Sequence, residues 1–439
     1  MTNGSEPKES RKRRRPGRLV RNAVALMISA GGTSVIGVIF WGVATHLAPD
    51  ASIGRDSAEI VAMSLLANLA QLSFGSIFER FLPVAGTQTR DFVKRAYLMC
   101  VSVGLVIGIA YVLLGFGNSF LPHEIWWRIL FIAAVVLWTI FVLQDSVLVG
   151  LRASKWVPVE NILFALVKLA LLPVCIAVSA TQGVFVAWMA PVVLAIVFIT
   201  WYLFGKRIPD HEASSSANEK LPATRELILL AGAQYATLLL TVWSPSIVTL
   251  IVIQRLGAVA NAHYYVPTLI TSSLAVLVYS ISRSFLVEAT HEPYALRRHA
   301  NSTIRALLFL LAPCLVFGEI FAPEFLRIFG ASYAQHGTTL LRMLLLSLPL
   351  SAVSIFYTAF AWLDKRVWWM AIRDVISVTI YFTAILTLIG HFGIEAIGIA
   401  SLISSGLQGI FFLLPSIRRY RLTTNSSPPG DSGSLVAKT

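Results

Sequence analysis

An all-α, polytopic membrane protein of about twelve transmembrane helices, arranged as two pseudo-symmetric six-helix bundles, is the fold class this sequence predicts. Three observations predict it. Of 439 residues, 56% are hydrophobic and 13% charged, with a mean hydropathy of +0.74, which is more apolar surface than a soluble core can hide. The apolar residues gather into runs long enough to cross ~30 Å of hydrocarbon at ~1.5 Å per helical residue. The stretch 54–85 returns in diverged form at 257–289: a glycine after a short polar loop, a mostly apolar run, then an arginine beside Phe-Leu and a small residue. Two related halves of this kind are a common construction in transporters.

The elements follow in order. Residues 1–19 form a basic tail, and the basic run from Lys8 to Arg21 lies directly before an apolar segment too long for a cleavable signal, so that segment stays as the first helix. Such a tail fixes topology and rests on anionic lipid. Spans at 20–47, 57–78, 96–116, 126–149 and 157–179, with a sixth ending near residue 204, make an N-terminal lobe, 20–204. The segment 205–225, rich in Ser, Pro and charge, reads as a cytoplasmic linker. Spans near 226–253, 262–282, 303–321, 338–362, 367–389 and 394–416 make a C-terminal lobe, 226–416. The polar tail 417–439 reads as disordered and cytoplasmic.

Charge tests this topology separately from hydropathy. With the N-terminus inside, 29 Lys and Arg fall on the inner side and five on the outer (Arg55, Arg128, Arg255, Arg327 and Arg342), leaving Lys168 within a span. That bias places both termini in the cytoplasm of a multi-pass protein. The halves also correspond at their basic hairpin turns, 151–156 and 363–368, and at Gly183 and Gly393. An even number of spans in each half makes the repeats share one orientation, about an axis along the membrane normal.

The net charge of +13 is spread as topology requires and does not point to nucleic acid. Cys100, Cys175 and Cys314 stand singly, without Cys-x-x-Cys spacing, and support neither disulfides nor zinc. His46, His123, His263 and His391 fall at or near outer span ends without ligand spacing, so neither metal nor cofactor is expected. Trp126, Trp127, Trp156, Trp201, Trp362, Trp368 and Trp369 read as an interfacial belt.

Candidate functional residues lie inside the spans. Ser64, Asn68, Gln71, Gly75 and Glu79 fall on one face of the second helix, and Gln234, Thr237, Thr241 and Ser244 repeat the device in the seventh. The eighth carries Tyr264, Thr268, Thr271 and Tyr279 and ends at Arg283. Such stripes either bind helices to one another or line a shared polar cavity. Lys168 is near the middle of the fifth span, two turns beyond Asn161 on the same face. An ammonium there costs at least ~2.5–3.5 kcal/mol unless it is compensated. Two compensations are open: a buried ion pair with Asp145 of the preceding span, or an anionic substrate group in the cleft.

The runs IGRDSAEIVAMSLLANLAQLSFGSIFERFLPVAG, LQDSVLVGLRASKWVPVENILFALVKLALLP and APEFLRIFGASYAQHGTTLLRMLLLSLP resemble the polysaccharide-transporter, O-antigen-type flippase branch of the multidrug/oligosaccharidyl-lipid/polysaccharide (MOP) exporter superfamily, over about residues 21–421. The resemblance implies a MATE-like pair of six-helix bundles and a flippase that carries a polyprenyl-linked saccharide from the inner to the outer leaflet of a prokaryotic plasma membrane. It also implies glycosyltransferases or a polymerase of the same pathway as partners. Lys168 and Arg283 are analogues in role of the basic side chains in the cavities of such relatives. The first span, 24–47, lacks both the arginine of the cell-wall-precursor flippases and the acid of the drug antiporters. The implied mechanism sets Lys168 and Arg283 against the phosphate or pyrophosphate, with Asn68, Gln71, Asn161, Gln234 and Tyr264 on sugar hydroxyls and rocking eased at Pro245 and Pro267. Two other readings stay open, a multidrug or small-solute antiporter of the same fold and a membrane glycosyltransferase or polymerase. Short outer turns without paired carboxylates count against the second.

Overall fold

A computed structural model gives the fold; it describes residues 18–214, 232, 235, 243–291, 296–363 and 367–422, with side chains from residue 32 onward except at 283, 287, 290–291, 359–363, 367–371, 413–416 and 418–422. Among the described residues every regular element is helical. The chain runs α1 (Arg18–Leu47), α2 (Asp50–Ala70), α3 (Phe74–Phe81), α4 (Thr89–Leu113), α5 (Ile125–Gly150), α6 (Trp156–Val178), α7 (Gly183–Tyr202) and α8 (Ile208–Ser214). It continues through α9 (Trp243–Leu256), α10 (Ala258–His291), α11 (Leu296–Arg327), α12 (Ala331–Leu363), α13 (Val367–Phe392) and α14 (Glu395–Leu422). Nine helices among the described residues are long and apolar enough to cross a bilayer, and α2 with the segment Phe74–Val84, bent by 52°, makes a tenth. The apolar part of α1 and the 14-residue α9 occupy the first and seventh predicted positions. The outward faces are apolar: Val178 is 85% and Phe309 84% exposed, which only lipid makes favourable.

The helices pack as two groups. Within α1–α8, α6 lies against α1 and α7, and α5 against α2, α3, α4 and α7; within α9–α14, α12 lies against α10, α11 and α14. The groups meet where α2 crosses α9 and α10 and α1 touches α10. The closest approach is at Gly54, where a β-carbon would stand 1.7 Å from the Ala258 carbonyl oxygen. Only glycine fits there. Gly257, at φ 87°, makes the one-residue turn between α9 and α10 that brings Ala258 to that point. Asn261 then donates to the Gly54 carbonyl at 2.8 Å and to Ser57 Oγ at 3.2 Å, while Gln254 donates to the Phe116 carbonyl at 3.2 Å. These contacts lie at the end of the bundle that carries the α1–α2 and α9–α10 turns, called here the turn end; the tail end carries the start of α1.

The structure differs from the sequence reading at several boundaries. The second span is not one helix. It breaks at Gln71–Ser73, where Leu72 (φ 48°) and Ser73 (φ 63°) are left-handed without being glycine, so the polar face expected from Ser64 to Glu79 is interrupted. Two such residues in succession store of order 1 kcal/mol each. Two carbonyls at the break each take a side-chain donor besides a backbone N–H: Tyr235 Oη donates to Leu69 at 3.2 Å and Cys100 Sγ to Gln71 at 3.6 Å. Ser73 is buried and its hydroxyl is unpartnered. Replacing Ser73 by Gly removes both the strain and the unpartnered hydroxyl, so Ser73→Gly raises stability by ~1 kcal/mol. A higher thermal midpoint in detergent checks this; a lower one refutes the assignment of strain.

The polar stretch expected to be a linker from residue 205 is helical as far as Ser214. A π-turn at Leu203–Arg207 leads into α8, because Ile208 is fully buried and Arg207 and His211 donate to the Leu151 and Leu82 carbonyls. The tail expected from residue 417 is helical to Leu422. Pro267 leaves α10 unbroken and the described part of α9 is helical at Pro245, whereas α11 is kinked at Phe321 (φ −101°, ψ 15°), just before Pro323. Among the described residues the backbone thus departs from a helix at Phe321 and not at Pro267.

Candidate functional site

Lys168 projects from α6 into the interior of the first group and is 5% exposed. Its ammonium stands 3.4 Å from the centroid of the Trp188 ring and 5.0 Å from those of Phe40 and Phe164. Asp145 is not its partner. Among the described residues no carboxylate comes within 4.0 Å of Nζ, and Asp145 Oδ2 instead accepts from Asn161 Nδ2 at 3.2 Å. The ion-pair alternative is thus replaced by three π faces, each contributing ~0.5–2 kcal/mol when desolvated, enough together to offset a cost of ~2.5–3.5 kcal/mol.

Each ring of this box is fixed by its helix. Phe164 is one turn before Lys168 on α6, Phe40 comes from α1 and Trp188 from α7. The rings meet edge to face, Phe40 with Trp188 at 5.6 Å and Phe164 with Trp188 at 6.0 Å. Trp41, beside Phe40, contacts Tyr265 of α10 at 4.7 Å, so the box backs onto the junction of the two groups. The sequence reading missed these rings. The available signal was the position of Trp41, Trp138 and Trp188 well inside spans, away from the interfacial belt.

Of the other expected residues, Asn68 and Gln71 come together, Gln71 Nε2 donating to Asn68 Oδ1 at 3.1 Å beside the α2 break. Asn161 also donates to its own helix at Val157, 3.0 Å away. Tyr264 does not line a cleft. It is 2% exposed and packed with Val248, Val252, Leu340 and Ile385 in the core of the second group, because it lies on the face of α10 turned toward α9 and α12. Gln234 and the side chain of Arg283 lie outside the described residues, as do Thr237 and Thr241.

Three arrangements were not expected from the sequence. Glu160, on α6 next to Asn161, is buried with both carboxylate oxygens unpartnered. His263 shares hydrogen bonds with Asp50 Oδ2 at 3.2 Å and Ser332 Oγ at 2.8 Å and stacks on His336 at 4.8 Å, all at the turn end. Arg373 of α13 donates to Asp374 Oδ1 at 2.6 Å and to Thr358 Oγ1 at 2.6 Å; nearby, Ser354, Gln408, Ser377 and Ser404 close a polar network across α12, α13 and α14.

On the far side of α1 from the box is a cleft of about 850 Å³, bounded by α1, α10, α11 and α12. Its walls are almost wholly apolar, with Val35 and Ile39 of α1, Leu277 of α10, Phe317 of α11 and Ile328 just after it, and these five are 39–63% exposed. α1 is the partition: Phe40 and Trp41 face the box, Val35 and Ile39 the cleft.

Two helical groups thus meet at the turn end, with a buried lysine inside the first group and an apolar side cleft between α1 and α10–α12. The fold is that of the MATE transporters of the MOP superfamily. An inward-facing multidrug resistance MATE family transporter of that superfamily superposes with a TM-score of 0.62 at 17% identity, covering 92% of this chain and 100% of its own. The outward-facing conformation of such a transporter gives 0.59 at 14%, covering 92% and 97%. A MOP superfamily transporter from Pyrococcus furiosus Vc1 (DSM3638), described as having a binding pocket of reverse polarity that suggests a different function, gives 0.59 at 15% with the same coverage. No family model and no curated protein matches the sequence.

Proposed function

We propose that the protein is a flippase moving a polyprenyl-(pyro)phosphate-linked oligosaccharide from the inner to the outer leaflet of a prokaryotic plasma membrane, for cell-envelope polysaccharide synthesis. The observation that carries this reading is the apolar cleft separated from Lys168 by the width of α1. A polar solute has no use for an apolar cleft of 850 Å³, whereas a hydrocarbon tail fills it while its charged head stays between the groups. In this reading the groups part at the tail end to admit the head, Lys168 leaves its ring box to meet the phosphate, and Asn68, Gln71 and Asn161 exchange their present partners for sugar hydroxyls. Separation of Gly54 from Ala258 then opens the turn end, and rocking carries the head across. Both termini face the cytoplasm, and the enzymes that build or polymerise the saccharide are the expected neighbours.

A multidrug antiporter of the same fold is the second reading, favoured by a ring box that already holds a cation. Proteoliposomes separate the two. A fluorescent polyprenyl-pyrophosphate saccharide in the inner leaflet becomes accessible to an external quencher within minutes under the flippase reading, and an ion gradient drives no dye efflux. Dye efflux without saccharide movement reverses the assignment.

A further inference from the structure

The box around Lys168 has a property that the flippase reading leaves unused. Its rings hold one another. Phe40 and Trp41 meet at 5.5 Å and 89°, Phe40 and Trp188 at 5.6 Å and 78°, and Phe164 and Trp188 at 6.0 Å and 79°, none of them through the lysine. What occupies the space is an ammonium on a flexible four-carbon stem, seated 3.4 Å from the Trp188 centroid. A cage of three aromatic faces around one cation is the arrangement that recognises alkylammonium ligands. Through the contact of Trp41 with Tyr265 it borders the junction along which a cargo passes.

We propose that Phe40, Phe164 and Trp188 form a receptor site for an organic ammonium group, reserved in this state by the ammonium of Lys168 as its internal occupant. The site opens when Lys168 withdraws. An anionic group between the two helical groups draws Lys168 out, and an ammonium on the same cargo takes the place it leaves, so that neither the acid nor the box is left without a partner. No bond is made or broken; two cations exchange partners. The cargo class that fits is one bearing both an acidic group and an amine, such as a lipid phosphate carrying an amino sugar. The box stands on geometry alone, while its opening by an anion rests on the flippase reading.

Equilibrium dialysis of radiolabelled tetramethylammonium against the purified full-length protein in nanodiscs tests this. Lys168→Ala, which empties the box, binds the probe about tenfold more tightly than wild type, and adding Trp188→Leu abolishes the gain. Lys168→Met fills the box without charge and stays as weak as wild type. Lys168→Ser serves in place of the alanine variant if that variant does not elute as a single monodisperse species. The proposal is overturned if neither small variant binds more tightly than wild type, or if the gain survives Trp188→Leu. In wild type, farnesyl pyrophosphate raises tetramethylammonium affinity, and the coupling is reciprocal. A gain in the alanine variant without any effect of farnesyl pyrophosphate keeps the box and removes the phosphate from the account of Lys168.

Discussion

Lys168→Met lowers saccharide flipping by roughly 10- to 150-fold while the protein inserts and folds normally. The methionine side chain keeps the packing against Phe40, Phe164 and Trp188, so the box stays filled, but nothing then answers the phosphate charge. A hydrogen bond to a charged group contributes ~1.5–3 kcal/mol, and about 1.4 kcal/mol is a factor of ten, which sets the size of the loss. Reconstituted flipping rates, normalised to the amount of monodisperse protein, read it directly. In cells the same variant leaves lipid-linked saccharide on the inner leaflet. Normal flipping by Lys168→Met removes the lysine from the mechanism and leaves it as a structural cation held by its rings.

Gly54→Val is expected to prevent closure of the turn end. With a β-carbon placed 1.7 Å from the Ala258 carbonyl oxygen, α2 and α10 must move apart, and Asn261 loses its hold on the Gly54 carbonyl. Overpacking of this kind costs ~1–3 kcal/mol. Spread over a two-state equilibrium, that shifts the ratio of closed to open states roughly 5- to 150-fold toward the open one. Spin labels at Phe116 and Val259, half-exposed residues on opposite groups at that end, report the shift as loss of the short-distance population. Unchanged distances mean that the contact tolerates a side chain and is not a gate. Flipping falls in parallel, since a transporter that cannot close one end cannot alternate.

Much of this architecture was legible in the sequence, for a definite reason. In a bilayer every backbone polar group must be satisfied within its own helix or closed partner set, so long apolar runs in the sequence become spanning helices. The repeat that begins at Gly54 and Gly257 was read only as the mark of two related halves; the structure places both glycines where the two groups touch, with Gly54 against Ala258 and the Gly257 turn just before it. The partners of polar side chains were less legible. Asp145 sits one helix away from both Lys168 and Asn161, and hydropathy cannot tell which it reaches; the answer depends on the rotation of α5 against α6. Tyr264 looked like part of a polar stripe because its neighbours on α10 are Thr268 and Thr271, yet these hydroxyls bond back to their own helix, to the Tyr264 and Pro267 carbonyls. Hydroxyls satisfied in this way place no demand on a cavity. The break at Leu72 and Ser73 had no signal at all, since neither residue is glycine or proline. The ring box was hidden differently: its members come from α1, α6 and α7, and only the packing of those helices makes a cage of them.

The central claim is that a hydrocarbon tail occupies the cleft between α1 and α10–α11 while its charged head is handled on the other side of α1. A polyprenyl pyrophosphate carrying a photoactivatable group on its tail, irradiated with the reconstituted protein and mapped by mass spectrometry, measures this. The account predicts labels concentrated at Val35, Ile39, Leu277 and Phe317 and removed by an excess of unlabelled polyprenyl pyrophosphate. Labels spread evenly over lipid-facing residues such as Val178 and Phe309, and indifferent to competitor, would contradict it.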